Sequence, residues 1–273
     1  MIVHSLDPVL VDLGVVQIRY YGLFYIIGII ISFFILRKLA KERKLGLSSD
    51  DVIDYLVYLA VGLLAGGRVF YFIFYSWQTI FSDPLEVLML WHGGMSFHGS
   101  LIGMVAAGLI FCKRRKLDPL EIGDITVIPV ALALALGRIG NLFNAELYGR
   151  PWDGWLCIDY TQNPAIGNKP ELCRYPSQLA ESLKNLLIFS TLWLLRGKSY
   201  AKGSLFSLFL IFYGTMRFLV EFIRQPDPQL GFVFGPFTMG QVLSMLMVPA
   251  GAMMLWMLNK RGKAKKEKNA SGN

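Results

Sequence analysis

Seven apolar stretches, each close to the length of a membrane span, constrain the fold of this chain more than any other feature. A helix of about 20 apolar residues crosses about 30 Å of hydrocarbon, where a backbone must satisfy its own hydrogen bonds. The hydrophobic content of 54% also exceeds that of a soluble domain of this size. We therefore predict an all-α, polytopic protein with seven transmembrane helices. The stretches cover residues 20–36, 52–75, 94–112, 122–143, 178–195, 203–223 and 236–258.

Basic residues predict the orientation of these helices. The connections after the first, third and fifth stretches and the C-terminal tail carry most of the lysines and arginines, in runs such as RKLAKERK, KRRK and KRGKAKKEK. The positive-inside rule places these segments in the cytoplasm and the N-terminus outside. Because topology explains most of the net charge of +8, we discount nucleic acid as a partner.

Five segments follow from this topology. Residues 1–19 lack the basic start of a signal peptide and are expected to form an external arm. Residues 20–143 hold helices one to four, and residues 144–177 form a small external head, rich in Pro and Gly, between helices four and five. Residues 178–258 hold helices five to seven, and residues 259–273 are expected to be a disordered cytoplasmic tail.

Cysteine positions are compatible with one disulfide. Cys157 and Cys173 both lie in the head, on the oxidising side, so a bridge between them is possible, although two unpaired thiols fit equally well. Cys112 lies at the cytoplasmic edge and is expected to be a free thiol. His4 is expected at the surface.

Polar side chains inside the apolar stretches are predicted to converge near their outer ends. Ionisable groups in hydrocarbon are costly and usually functional. Arginine forks onto carboxylate or phosphate oxygens, so several converging arginines indicate an anionic lipid headgroup or a comparable anion. The residues concerned are Tyr21, Arg68, His98, Arg138, Glu181, Arg217, Glu221 and Arg224.

Two of these arginines have structural alternatives. Arg217 and Glu221 are spaced i,i+4 and could simply neutralise each other in a helix bundle. Arg68 follows a G-x-x-x-G spacing that permits close helix contact, and it could bridge to a loop carbonyl or to Glu86.

The segment over residues 137–149 is the richest in polar groups. It presents Arg138, Asn141, Asn144 and Glu146 within nine residues, the first three at i,i+3 spacing along one side of a helix. Capping of a helix C-terminus would explain one Asn and a Gly, but not four polar groups.

His98 stands in the glycine-rich string GGMSFHGS. An imidazole can take a proton near neutral pH, so His98 is a candidate base, although a lone His at a helix start is also a common hydrogen-bonded structural residue. A serine hydrolase using Ser96 and His98 is disfavoured, because side chains at i,i+2 point apart on a helix.

These motifs give the chain a resemblance to the bacterial prolipoprotein diacylglyceryl transferases over essentially its whole length. The family string GR-x-GN-F-x-N-x-E-x-x-G matches residues 137–149, except that Leu142 replaces the Phe. Further matches are Tyr21-Gly22, GGMSFHG at 93–99, Pro176-Ser-Gln followed by Glu181, and YGxxRFxxEFxRxPD at 213–227. The chain departs from the family pattern at His92, Ser100 and Tyr175.

The resemblance implies seven transmembrane helices with an external head, in the bacterial cytoplasmic (inner) membrane. It implies transfer of the diacylglyceryl group of phosphatidylglycerol to the lipobox cysteine of a preprolipoprotein, with release of glycerol phosphate and without a metal or cofactor. Catalytic roles are expected for His98, Arg138, Glu146 and Arg217. Phosphatidylglycerol binding is expected for Tyr21, Arg68, Arg138, Asn141, Asn144, Glu181, Tyr213, Arg217, Glu221 and Arg224.

A carrier or translocator of an anionic lipid or solute is the alternative, because it too would place arginines inside a helix bundle. Carriers commonly show paired halves with broken helices near the midplane. The polar groups of this chain are instead predicted at the outer side only, which suits an enzyme that works from one face.

Overall fold

The computed structural model describes residues 1–14, 17–164, 166, 170, 172–198, 200–226 and 231–270. In these residues eight α-helices follow one another along the chain, with short strands and two 3-10 helices between them. The helices are α1 (Tyr20–Glu42), α2 (Ser49–Tyr75), α3 (Thr79–Ser82), α4 (Phe97–Arg115), α5 (Pro119–Phe143), α6 (Ser177–Leu195), α7 (Ser204–Val220) and α8 (Met239–Ala270). The 3-10 helices are Pro84–Leu88 and Leu90–His92.

Each of the seven predicted apolar stretches forms a helix, and only the short α3 was not anticipated. Four of the described helices, α1, α2, α5 and α8, are long and apolar enough by length and composition to cross a membrane. Helix α7 is apolar but has 17 residues, and α4 and α6 have 19 each. Glu181, Lys184 and Asn185 lower the hydropathy of α6. The chain is a multi-pass membrane protein by this composition.

Local sequence chemistry sets the helix starts. The Ser48 hydroxyl accepts from the Asp51 N–H, and the Asp51 carboxylate accepts from the Ser48 N–H, so α2 begins with a capping box. Helix α4 begins at Phe97 because Ser96 caps it, while the preceding Gly93 and Gly94 adopt φ of 79° and 76°, which favour glycine.

The expectation of a disordered tail from residue 259 is wrong for the described part of that tail, because α8 continues to Ala270. The Lys, Ala and Glu of this segment have high helix propensity, and basic residues are favourable at a helix C-terminus. Residues 271–273 lie outside the described part of the chain.

The chain divides into two compact units. One, Phe33–Ile122, contains α2, α3 and α4, and glycines bring α2 and α4 into contact. A Cβ atom at Gly66 would lie 2.3 Å from the Gly99 carbonyl oxygen, and one at Gly103 would lie 2.1 Å from the Gly62 oxygen. The G-x-x-x-G spacing therefore permits the close contact predicted for it.

The other unit comprises Met1–Ser32 and Gly123–Asn273, and it contains α6, α7 and α8 with most of α5. Helices α7 and α8 approach closely at Gly251, where a Cβ atom would lie 2.8 Å from the Ser207 carbonyl oxygen. Buried Asp124 on α5 accepts from the backbone N–H groups of Gly203 and Phe206 at 2.9 and 2.8 Å. It thus satisfies donors at the first turn of α7.

The N-terminal arm and the segment between α5 and α6 form a small folded head in this unit. Strand β1 (Ile2–Val3) pairs in parallel with β4 (Ile158–Asp159), and β2 (Val9–Asp12) forms a hairpin with β3 (Gln17–Arg19). A disulfide joins Cys157 and Cys173, which confirms the bridge as the correct alternative. A second hairpin, β5 (Phe232–Phe234) with β6 (Phe237–Thr238), precedes α8.

His4 is buried, so its predicted position at the surface is wrong. Strand pairing carries it into the head, where Asn163 Nδ2 donates to its Nδ1 at 2.7 Å and its ring lies 5.2 Å from that of Tyr160. Burial lowers the pKa of the His4 imidazole and raises that of the Tyr160 phenol to about 12. Both side chains are therefore uncharged parts of the head core near neutral pH.

Candidate active site

A buried cluster of charged side chains lies where α5, α6 and α7 meet. Arg217 on α7 stands at its centre and contacts two carboxylates. Its Nη1 donates to Glu181 Oε1 on α6 at 2.7 Å, and the same nitrogen forms an ion pair with Glu221 one turn further along. The predicted i,i+4 pair is confirmed, and Glu181 adds a second carboxylate that links α7 to α6.

Arg138, at the end of α5, reaches the same Glu181 more loosely. Its Nε lies 3.8 Å from Glu181 Oε2, and its Nη1 donates to Asn141 Oδ1 at 3.5 Å. Both contacts are at or beyond the limit of a good hydrogen bond, so most of the guanidinium donors are not used within the described residues. Arg138 is consequently the arginine of this cluster with most capacity for an added anion.

The rest of the motif on residues 137–149 extends the cluster to the surface. Asn141 Nδ2 donates to Glu146 Oε1 at 2.7 Å, and Asn144 Nδ2 donates to the same oxygen at 3.4 Å. Asn141 is buried whereas Glu146 is exposed. A continuous polar path therefore leads from Glu146 to the buried arginines.

Glu181 has a third cationic partner that was not among the predicted site residues. Lys184 Nζ lies 2.8 Å from Glu181 Oε2 and 4.2 Å from the centre of the Tyr213 ring. Both Glu181 and Lys184 are buried. A signal for it is present in the sequence, since a Lys stands three residues after a Glu inside an apolar stretch.

Each carboxylate oxygen of Glu221 has a further partner besides Arg217. Thr238 Oγ1 donates to its Oε1 at 2.8 Å, and Arg224 Nη1 lies 3.7 Å from its Oε2. Gly240 allows the first turn of α8 to approach, because a Cβ atom there would lie 3.0 Å from Glu221 Oε1 and 3.1 Å from Arg217 Nη2. The sequence did not indicate Thr238, because hydroxyl residues are common at helix starts.

Close packing also explains two glycines of the residue 137–149 motif. A Cβ atom at Gly140 would come within 2.9 Å of the Tyr21 ring, so this glycine lets the start of α1 approach α5. The Tyr21 hydroxyl lies 2.9 Å from that of Tyr25. At Gly149 a Cβ atom would come within 2.6 Å of the Tyr175 carbonyl oxygen, so a side chain is excluded.

Gln178 ties the head to this cluster. Its Nε2 donates to the Glu146 carbonyl oxygen at 2.8 Å and to the Tyr160 hydroxyl at 3.1 Å. Gln178 is part of the Pro-Ser-Gln match, and no role was predicted for it. Its contacts show that the head positions the backbone of the motif residues.

Arg68 and His98 belong to the Phe33–Ile122 unit. Arg68 is buried and caged by its own unit, as its structural alternative predicted. Its donors go to the carbonyl oxygens of Glu86, Val87, Met89, Gly93 and Gly94. Its role in binding phosphatidylglycerol stays a prediction, and the guanidinium is already engaged by the segment that precedes α4.

His98 is exposed in the first turn of α4, with its ring 5.7 Å from that of Phe97. Ser96 acts as the helix cap, accepting from the Gly99 N–H at 3.3 Å. The proposed catalytic role of His98 stays a prediction, as do those of Arg138, Glu146 and Arg217.

Basic side chains surround the two carboxylates of this cluster in the described part of the chain. Four cations, Arg138, Lys184, Arg217 and Arg224, are grouped around two buried or nearly buried carboxylates, Glu181 and Glu221. Such a group of guanidinium and ammonium ions is favourable for an anion that binds beside it. The fold and this cluster together define a class, a helical multi-pass membrane protein with a buried cationic site suited to an anionic ligand.

Comparison with known proteins specifies the family. The family model described as prolipoprotein diacylglyceryl transferase matches residues 8–257, and the chain belongs to this family. It is 42% identical over 257 residues to the phosphatidylglycerol–prolipoprotein diacylglyceryl transferase of Geobacter sulfurreducens, covering 94% of this chain and 96% of the relative. The transferases so named from Desulfotalea psychrophila and Rhodospirillum rubrum are 38% and 40% identical, over 95% and 92% of this chain and 96% and 91% of theirs. The resemblance deduced from the motifs is confirmed.

Proposed function

We propose that the protein transfers the diacylglyceryl group of phosphatidylglycerol to the lipobox cysteine thiol of a preprolipoprotein. The observation that carries this proposal is the loosely held guanidinium of Arg138, whose contacts at 3.5 and 3.8 Å leave donors that can receive a phosphate ester. Membership of the transferase family supports the same activity.

The bond changes explain why such a cluster would accelerate this reaction. The cysteine sulfur forms a bond to the glycerol carbon, and the bond between that carbon and the phosphate ester oxygen breaks. The departing oxygen keeps the electron pair, so a phosphodiester monoanion leaves as glycerol phosphate with increased negative charge. Cationic groups fixed around that oxygen stabilise the transition state more than the ground state, which lowers the barrier.

Arg138 and Arg217 have different proposed roles. Arg138 has loose contacts at 3.5 and 3.8 Å, so its guanidinium can fork onto phosphate oxygens when the lipid binds. Arg217 is held by Glu181 and Glu221 and supplies a positive charge of fixed position. Preorganised charge needs no rearrangement at the moment of reaction.

The remaining predicted binding residues surround these arginines. Asn141 and Asn144, which contact Glu146, offer amide groups near the end of α5 that can hydrogen-bond the headgroup. Tyr21 packs at Gly140 of α5, and the Tyr213 ring lies 4.2 Å from the Lys184 ammonium. Glu181, Glu221 and Arg224 keep Arg217 and Arg138 in place.

The thiol also needs to lose a proton, because its ordinary pKa of about 8.5 leaves most of it protonated at neutral pH. His98 is the proposed base, since an imidazole is suited to accept a proton in this range. Arg68 belongs to the proposed headgroup set as well, and that role stays a prediction, since its donors go to backbone carbonyls of its own unit.

The proposed setting is the bacterial cytoplasmic membrane. All seven long helices cross it, with the N-terminus and the head over residues 144–177 outside and the C-terminus in the cytoplasm. The distribution of basic residues supports this orientation. The Cys157–Cys173 disulfide is compatible with an oxidising exterior.

A reconstitution experiment tests the proposed function. Purified protein is incubated with phosphatidylglycerol and a lipobox peptide, and mass spectrometry follows formation of a diacylglyceryl thioether. A peptide with serine in place of the cysteine, and phosphatidylcholine in place of phosphatidylglycerol, are the controls. Absence of thioether, together with movement of labelled phosphatidylglycerol between the leaflets of vesicles, would instead support a translocator.

A further inference from the structure

Lys184 is a buried charge whose function the motifs leave unexplained. It lies on α6, three residues beyond Glu181, and only 4% of its surface is exposed. Its ion pair with Glu181 is its one polar contact among the described residues, and its ammonium rests on the face of the Tyr213 ring. Whole buried ion pairs can often be replaced by apolar residues of similar volume without loss of stability, so stability alone does not explain an ammonium at this position.

The contacts of Glu181 show what Lys184 does there. Arg217 Nη1 lies 2.7 Å from Glu181 Oε1, and Lys184 Nζ lies 2.8 Å from Glu181 Oε2. Arg138 is the third cation facing this carboxylate, and it remains 3.8 Å from Oε2. Because Lys184 already occupies this oxygen at close range, Arg138 is not drawn into a tight bidentate pair with Glu181.

We propose that Lys184 is a positioning residue that keeps the Arg138 guanidinium available for the phosphate of the lipid substrate. Without Lys184, both oxygens of Glu181 would be shared between Arg138 and Arg217, and substrate would have to break that pair to bind. The inference rests on the proposed function and extends it to a residue outside the family motifs quoted above.

The test compares kcat and KM for phosphatidylglycerol in the thioether assay. We expect Lys184→Met to lower kcat/KM by about tenfold or more, the equivalent of one charge-assisted hydrogen bond. Lys184→Arg should retain most activity, since it still occupies Glu181 Oε2. Lys198→Met is the matched control, because Lys198 is exposed between α6 and α7 and should keep wild-type kinetics. Wild-type kinetics for Lys184→Met would overturn the proposal.

A double variant shows whether Lys184 acts through Glu181. If it does, Lys184→Met should have little further effect once Glu181→Gln has removed the competing carboxylate. A double variant impaired by the product of the two single losses would overturn the proposal. The double variant also tests the proposal if Lys184→Met alone does not fold. It lacks the Glu181 carboxylate, so no unpaired carboxylate remains on α6. Wild-type protein that forms no thioether would refute the proposed function itself, which is a separate result.

Discussion

Arg138→Lys is the substitution that most directly tests how the cluster recognises phosphate. It keeps the positive charge at the end of α5 but replaces a planar fork of donors with a single ammonium. The structure predicts little effect on folding, because Arg138 makes only contacts of 3.5 and 3.8 Å with Asn141 and Glu181. A loss of activity would therefore arise from the lost fork.

The magnitude follows from the number of bonds. A guanidinium forked onto a phosphate makes two charge-assisted hydrogen bonds, and lysine can replace only one of them. A hydrogen bond to a charged group contributes about 1.5–3 kcal/mol. At 1.4 kcal/mol for each factor of ten, kcat/KM for phosphatidylglycerol should fall by roughly 10- to 150-fold.

The assay is steady-state thioether formation with purified protein, alongside thermal unfolding of each variant. Arg114→Lys is the matched control, since Arg114 lies at the end of α4 and donates to Tyr58 at 2.6 Å. We expect the control to keep its kcat/KM and Arg138→Lys to keep its melting temperature. Near-normal turnover in Arg138→Lys would remove this residue from the headgroup role, and a large drop in melting temperature would give it a structural one.

Three further predictions concern the base, the ion pairs and the head. His98→Gln should lower the rate at pH 7 by ~100-fold or more. We expect partial recovery at pH 9, where the substrate thiol ionises by itself. A small loss at pH 7 without recovery at pH 9 would make His98 structural. Arg217→Ala should be less stable in denaturant than the variant with both Arg217 and Glu221 changed to apolar residues, because the single change strands a buried carboxylate; the opposite order would refute the pairing. Alkylation by a maleimide before reduction should leave Cys157 and Cys173 unmodified by mass, and labelling of both would exclude the bridge.

The sequence predicted the helices well because helix formation in a membrane depends on local properties. Apolar length, glycine spacing and capping residues all lie within one segment, so α1, α2 and α4–α8 could be located without knowledge of their neighbours. The same holds for the polar residues of the 137–149 motif. The wrong prediction for His4 had a non-local cause, since His4 is buried by a strand pairing between residues more than 150 positions apart.

The sequence by itself determined that this protein is an apolar bundle of helices that carries arginines and carboxylates. The arginines are the groups suited to an anion. The sequence could not distinguish the arginines from one another, because each stands in a similar apolar helix. Only the tertiary structure decided that backbone carbonyls cage Arg68, that Glu181 and Glu221 hold Arg217, and that Arg138 is left loosely bound. The physical reason is that an arginine's role depends on which acceptors lie within about 3 Å of its guanidinium, and folding brings those acceptors from distant segments.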